Sequence, residues 1–145
     1  MAVTFQNNYK LILDKLKSVL RTEFKNMLPV YVGADNTDVG SQYLRLEPIR
    51  SDLLSRTASS ETREHTVELY LYYAEPNVNE RSLDQVLRIT SRIEALLHDN
   101  AFLTLSDGTN CVNCRIEFTT LNAQDNANEY VVLFQWKAQH TGNFS

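Results

Sequence analysis

Four glycines in 145 residues, Gly33, Gly40, Gly108 and Gly142, are too few and too scattered to write a phosphate-binding loop or a dinucleotide fingerprint. No run of apolar residues approaches the roughly 18 needed to cross a bilayer, so no membrane partner is expected. The two cysteines cannot build a disulfide framework, which agrees with synthesis in a reducing compartment. Cys111-Val112-Asn113-Cys114 has the spacing of a metal knuckle, but residues three apart on a regular strand point to opposite faces. A shared ligand would need a turn there, and no second pair accompanies it, so the two read as small residues of a sheet. His65, His98 and His140 fall on separate elements without ligand spacing, and His98 suits the C-terminal end of a helix dipole. Ser51, Ser55, Ser59 and Ser60 lack the glycines of a nucleophile elbow, and no carboxylate pair stands out as an acid/base couple. No catalytic residue, metal or cofactor is therefore expected, and convergence in space is the route left to an enzyme. Basic charge is not in excess either: 14 Lys and Arg against 18 Asp and Glu give a net charge of −4, which opposes general attraction to nucleic acid.

What is present fits one ordinary domain. Hydrophobic residues make up 43% and charged residues 22%, near globular averages, and no repeat or linker divides residues 1–145. Met1 to Asn8 has neither the basic nor the apolar region of a secretory signal, so synthesis in a cytoplasm is the expectation.

Apolar positions Tyr9, Ile12, Leu13, Leu16, Val19, Leu20, Phe24 and Met27 predict an amphipathic helix over residues 7–28, ended by Pro29. Its other face carries Lys10, Lys15, Lys17, Arg21 and Lys25, a solvated face or a docking surface. Residues 30–32 read as a short strand, 33–41 as a loop and 42–47 as a strand stopped or edged by Pro48. Residues 50–64 show no sustained period and little apolar content, which predicts a long flexible loop or hairpin tip. A strand over 63–74 alternates Val67, Leu69, Leu71 and Tyr73 against Thr66, Glu68, Tyr70 and Tyr72. Ser82-Leu83-Asp84-Gln85 has the form of a capping box opening a second helix to about His98, with Leu83, Val86, Leu87, Ile93, Leu96 and Leu97 inward. Strands follow over 101–105, 111–121 and 129–139, the second with Val112, Cys114, Ile116 and Phe118 inward, with turns at 106–108 and 122–128. The last strand is apolar on both faces, Tyr130, Val132, Phe134 and Trp136 against Val131 and Leu133, as a central strand or an interface requires. The fold class is α+β: an antiparallel sheet with both helices packed on one face.

Three groups are candidates for contact with a partner. Arg50, Arg56 and Arg63, if not simply solvated, can form charge-assisted hydrogen bonds with a partner's carboxylates or with phosphates, beside the small apolar anchor of Leu53 and Leu54. Tyr70 and Tyr72 next to Glu68 are the aromatic outer face that interfaces favour, and Val131 and Leu133 add the second apolar face of the last strand.

The helix over residues 9–27, the run Thr66-Val67-Glu68-Leu69-Tyr70-Leu71-Tyr72-Tyr73-Ala74-Glu75-Pro76, the helix over 82–98 and the strand Tyr130-Val131-Val132-Leu133-Phe134-Gln135-Trp136 together resemble the tail terminator proteins of long-tailed bacteriophages. The resemblance covers most of the chain and rests on pattern and size, with no invariant motif and no catalytic residue to carry over. It implies subunits that form a ring, usually a hexamer, in the tail or neck of a virion. Such a ring caps the tail tube protein, ends its polymerisation and meets the head-tail connector or stopper, while DNA passes through without sequence-specific binding. The 122–128 turn and the cysteine pair depart from that pattern. Another neck or tail component, such as a head-tail joining or tail completion protein, is the alternative within phage assembly. A small binding module or an enzyme without local signature are the alternatives outside it.

Overall fold

The computed structural model describes residues 7–25, 27–33, 42–74, 80–123 and 129–143. Helix α1 (Asn8–Phe24) places Ile12, Leu13, Leu16, Leu20 and Phe24 on one buried stripe. The Asn7 side chain accepts a hydrogen bond from the Lys10 backbone N–H at its start, satisfying a donor that the helix itself leaves open. The helix ends four residues before the predicted Leu28: Lys25, at a φ of 53°, turns the chain, and Leu28 reaches the core from the connector instead.

Strands β1 (Val30–Val32), β2 (Gln42–Arg56) and β3 (Ser60–Ala74) precede helix α2 (Glu80–Asp99), and β4 (Leu103–Thr104), β5 (Asn110–Ala123) and β6 (Glu129–Asn143) follow it. They form one six-stranded sheet in the order β1-β2-β3-β6-β5-β4. The β1 and β2 pair is parallel, and all others are antiparallel. One cluster of buried side chains joins Ile12, Leu16 and Leu20 of α1 and Val86, Ile93 and Leu97 of α2 to a single face of the strands. On β3 that face carries Val67, Leu69, Leu71 and Tyr73, and on β6 Val132, Phe134 and Trp136, as the alternation predicts. Each such large side chain contributes about 1.5 to 3 kcal/mol by leaving water. The helices are tied to each other by Arg92, whose Nε lies 2.9 Å from Glu23 Oε1 and whose guanidinium sits 4.8 Å from the Phe24 ring centre. The α+β class and the placement of both helices on one face are as expected. The two-sided β6 is indeed central, hydrogen-bonded to β3 and β5.

Several expectations are refined or corrected. Pro48 edges β2 and does not stop it: the strand runs on to Arg56. The strand is an edge beyond the last β1 partner, Leu46, where a missing N–H is tolerated, and a bulge between Pro48 and Arg50 restores the ladder. Of the two readings of residues 50–64, the hairpin holds and the loop does not: β2 and β3 continue into a hairpin arm, closed by Thr57, whose N–H donates to the Ser60 carbonyl at 2.8 Å. Its polar residues need no core of their own, because β6 supplies the backbone partners along one side, from Ser60 opposite Asn143 to Thr66 opposite Lys137. Helix α2 begins at Glu80, so Ser82 lies inside its first turn and not before it, while Leu87 faces outward at 45% exposure. On β5, Val112 and Phe118 are exposed, because bulges between Val112 and Arg115 and between Ile116 and Phe118 break the alternation. Gly108, at a φ of 88°, makes the predicted turn before β5. Most of the predicted 33–41 loop, the Pro76 turn and most of the 122–128 turn lie outside the described residues.

Candidate subunit interface

The sheet face turned away from the helices is built by the register of three strands. Tyr43 stands opposite Tyr72 and Tyr72 opposite Val131; one step on, Arg45 stands opposite Tyr70 and Tyr70 opposite Leu133. The rings of Tyr43 and Tyr72 stack at 4.6 Å and 16°, and Tyr31 of β1 meets Tyr43 edge-on at 6.1 Å. The Arg45 guanidinium lies 5.0 Å from the Tyr70 ring centre and 5.6 Å from that of Tyr72, a cation held over two aromatic faces. Glu47 Oε1 is 3.6 Å from Arg45 Nε, close enough for ion pairing but too long for a hydrogen bond, so this buried Nε has no hydrogen-bond acceptor among the described residues. Tyr70 donates its hydroxyl to Glu68 Oε1 at 3.0 Å; burial, then that bond and the carboxylate charge, raise its pKa.

The structure thus brings Glu68, Tyr70, Tyr72, Val131 and Leu133 to one sheet face, though Val131 is already covered within the chain at 6% exposure. Sequence reasoning missed Tyr31, Tyr43 and Arg45. The signal was the alternation in residues 42–47: once Leu44 and Leu46 are inward, Tyr43, Arg45 and Glu47 must be outward.

The arm forms a second, separate surface. Ile49, Leu53 and Leu54 are 48 to 50% exposed, and a second bulge between Leu53 and Ser55 leaves Leu54 outside the ladder. Arg50 pairs with Asp52 at 2.8 Å on the same strand, and Arg56 is exposed. Arg63 lies on the other strand of the arm. Its side chain is 35% exposed, pairs with Glu61 at 2.5 Å and donates to the Ser51 carbonyl at 3.4 Å, so it ties the two strands together.

The base of the arm gathers polar groups that lie far apart in sequence. Pairing of β3 with β6 sets the His65 and His140 rings 6.3 Å apart, and Tyr9 of α1 packs on His65 at 4.7 Å. Burial first, then the neighbouring His140 and Arg63, lowers the His65 pKa to about 4. The His140 pKa is also lowered, by burial, against the opposing charge of Asp107. Thr109 gives its hydroxyl proton to Asp107 Oδ1 at 2.6 Å, so His140 Nε2, 2.8 Å from the Thr109 hydroxyl oxygen, must donate to that oxygen. On the outer face, Glu64 receives Arg115 at 3.0 Å and Lys137 at 3.8 Å. Burial pushes the Glu64 pKa up, but the Arg115 and Gln139 hydrogen bonds and both cations outweigh it, and the net shift is down.

The bulge at Asn113, with a φ of 53°, supplies the turn between the cysteines, and both thiols are buried. Among the described residues no three His, Cys, Asp or Glu side chains converge as a metal site. Burial pushes Cys111 up to about 12 and Cys114 to about 11, so neither forms the thiolate needed for nucleophilic reactivity near neutral pH. Native protein is expected to resist iodoacetamide, with both thiols reacting only in denaturant, as mass spectrometry would read. Replacing both cysteines by Ser should cost about 1 to 2 kcal/mol in chemical denaturation. On α1, Lys10 pairs with Asp14 at 3.1 Å and Arg21 donates to the Val30 carbonyl at 3.0 Å, so part of the basic face serves the fold.

No family model and no curated protein matches the chain. Solved structures share its fold. A chain described as "Virion of native gene transfer agent (GTA) particle" superposes with a TM-score of 0.61 at 13% identity, covering 92% of this chain and 91% of that one. A second solved chain, carrying only a sequence identifier as its name, superposes with a TM-score of 0.63 at 17% identity over 94% of this chain and 97% of that one. At these identities the likeness is one of fold.

Proposed function

We propose that this chain is a structural subunit of a phage-type virion and, within it, the tail terminator. The observation that carries the reading is a fold shared over more than nine-tenths of the chain with a component of a gene transfer agent virion. The resemblance of the element pattern to tail terminators narrows it. In this reading the subunits close into a hexameric ring, sit on the end of the tail tube and stop its growth. They then offer the opposite side to the head-tail connector or stopper, while DNA passes through the lumen. A ring needs two different surfaces on each subunit that are complementary to each other. The protruding arm, with Leu53, Leu54 and Arg56 exposed, is a candidate for one of them. The subunit has positioning to do and no bond to break, and it needs no cofactor.

The reading is tested with purified protein and a polymerising phage tube protein. Added protein is expected to shorten tubes in proportion to its concentration and to appear as a ring at tube ends by electron microscopy. Tubes of undiminished length, together with a strict monomer by light scattering at high concentration, would overturn it.

A further inference from the structure

The arm has a counterpart on the far side of the same sheet. Strand β4 covers β5 only at Asn110 and Cys111, and the Cys114 N–H is taken by the Ala101 carbonyl at 3.0 Å. From Arg115 to Ala123, β5 has no strand on that side among the described residues. Helix α2 runs beside this open edge, and between them lies a groove of about 360 Å³, lined by Glu94 and His98 of α2 and by Ile116, Glu117, Phe118 and Thr119 of β5. Glu94 reaches across its floor to the Thr119 hydroxyl at 3.1 Å. Phe118 is 44% exposed, a large apolar side chain left nearly half open to solvent. An open strand edge with apolar side chains is a template for another chain, and natural sheets rarely leave one without a use.

Resting on the ring reading above, the geometry points to a second copy of this chain as the occupant: the tip of the β2–β3 arm of one subunit docks in the α2–β5 groove of the next. Three observations converge on it. Strand β2 is second from one end of the sheet and β5 second from the other, so arm and groove are different surfaces on opposite sides. Their contact is head-to-tail, the kind that closes into rings and does not stop at a two-fold dimer. The apolar groups match, with Leu53 and Leu54 projecting from the arm and Ile116 and Phe118 receiving them. The charges match as well. On the arm, Arg63 of β3 is paired with Glu61, and the β2 strand carries Arg50 and Arg56 against Asp52, which leaves Arg56 uncompensated along that strand, while the groove carries Glu94 and Glu117 against Arg115, one surplus negative. The bulges and arginines of the arm also discourage indiscriminate edge pairing, so the contact depends on the groove.

Cysteine pairing tests this directly, because both positions are exposed and the native thiols are buried. The double variant Leu54→Cys with Phe118→Cys is expected to give, under mild oxidation at assembling concentration, a disulfide ladder ending in a closed species. Each single variant should give no such ladder. Leu54→Cys alone linking to itself, or to tube protein and not to the Phe118→Cys chain, would overturn the proposal. So would rings seen by light scattering that carry no disulfide in the double variant, a result that leaves the ring reading standing. A monomer under every condition removes both. Charge reversal provides an independent check: Arg56→Glu and Glu94→Arg should each weaken assembly roughly tenfold and together restore it. Failure of the pair to restore it counts against the docking.

Discussion

Acidification from about pH 7 to about pH 4 is expected to cost the protein roughly 3 kcal/mol through His65 alone. His65 is 5% exposed, its ring tilted against Tyr9 and beside His140 and Arg63, and its Nδ1 has no hydrogen-bond partner among the described residues. Glu61 is the acidic group near enough to favour protonation, and it is engaged with Arg63. The His65 pKa is about 4 in the fold and 6.5 in the unfolded chain. Between those values the unfolded chain binds more protons, so stability is full above pH 6.5, falls as the pH drops through this window and levels off below 4. At about pH 5 the loss is already about 2 kcal/mol. His140, shifted in the same direction, adds to it. The carboxylates Glu64 and Asp107, held below their ordinary range, lose their contribution only at lower pH, beneath their unfolded values of 4.5 and 3.8. Urea denaturation at about pH 7 and about pH 5 therefore isolates the histidines. His65→Phe keeps a ring against Tyr9 and removes both the titration and the orphaned nitrogen, so it should flatten most of the pH dependence and cost little at neutral pH. An unchanged pH slope in that variant would show that the loss arises elsewhere.

The histidine pair also marks where local sequence pattern stops informing. Periodicity located both helices, the inner face of β3 and the central position of β6, because each depends on a residue's own neighbours in sequence. The arm could not be read that way. Residues 50–64 look like a loop in isolation, and become strand only because β6 extends to Asn143 alongside them. The same pairing brings His65 to His140, 75 positions away in sequence, so no spacing rule could have announced it. The β5 bulges hid a third feature. A single residue at Asn113 turns Cys111 and Cys114 to the same side, and the next bulge sends Phe118 outward. Of the surface residues singled out beforehand, Tyr70, Tyr72, Leu53, Leu54, Arg50 and Arg56 are at least partly accessible, because alternation and polarity report exposure. Val131 is an exception, since alternation does not reveal lateral cover, and polarity did not reveal that the partly exposed Arg63 is paired with Glu61 inside the arm.

Tyr9→Phe is expected to destabilise the subunit by about 1 to 3 kcal/mol and to loosen the arm, although the substitution removes a single oxygen from a residue whose ring packs against the core. The bulge between Pro48 and Arg50 takes backbone groups of β2 out of the regular ladder. The Tyr9 hydroxyl replaces the missing partners: it accepts from the Ile49 N–H at 3.1 Å and the Arg50 N–H at 3.3 Å, and it can donate to the carbonyl of Thr66 or that of Arg50. With one proton and two lone pairs, it satisfies both donors and one acceptor at a time. Burial raises the Tyr9 pKa against the lowering effect of these backbone bonds, so the group stays protonated and able to donate. Phenylalanine would keep the ring against His65 and leave the bulge's donors to water, which reaches the Arg50 side more easily than the buried Thr66 side. The arm would then remain a hairpin but lose the pin that fixes its angle to α1, and a pre-set angle is what makes docking of a protruding element inexpensive in entropy. Hydrogen exchange of the Ile49 and Arg50 amides, read beside urea denaturation, separates this from a packing defect. Faster exchange at those two amides, with the α2 core still protected, is the expected pattern. Unchanged exchange there would mean that the bulge holds its shape without the hydroxyl.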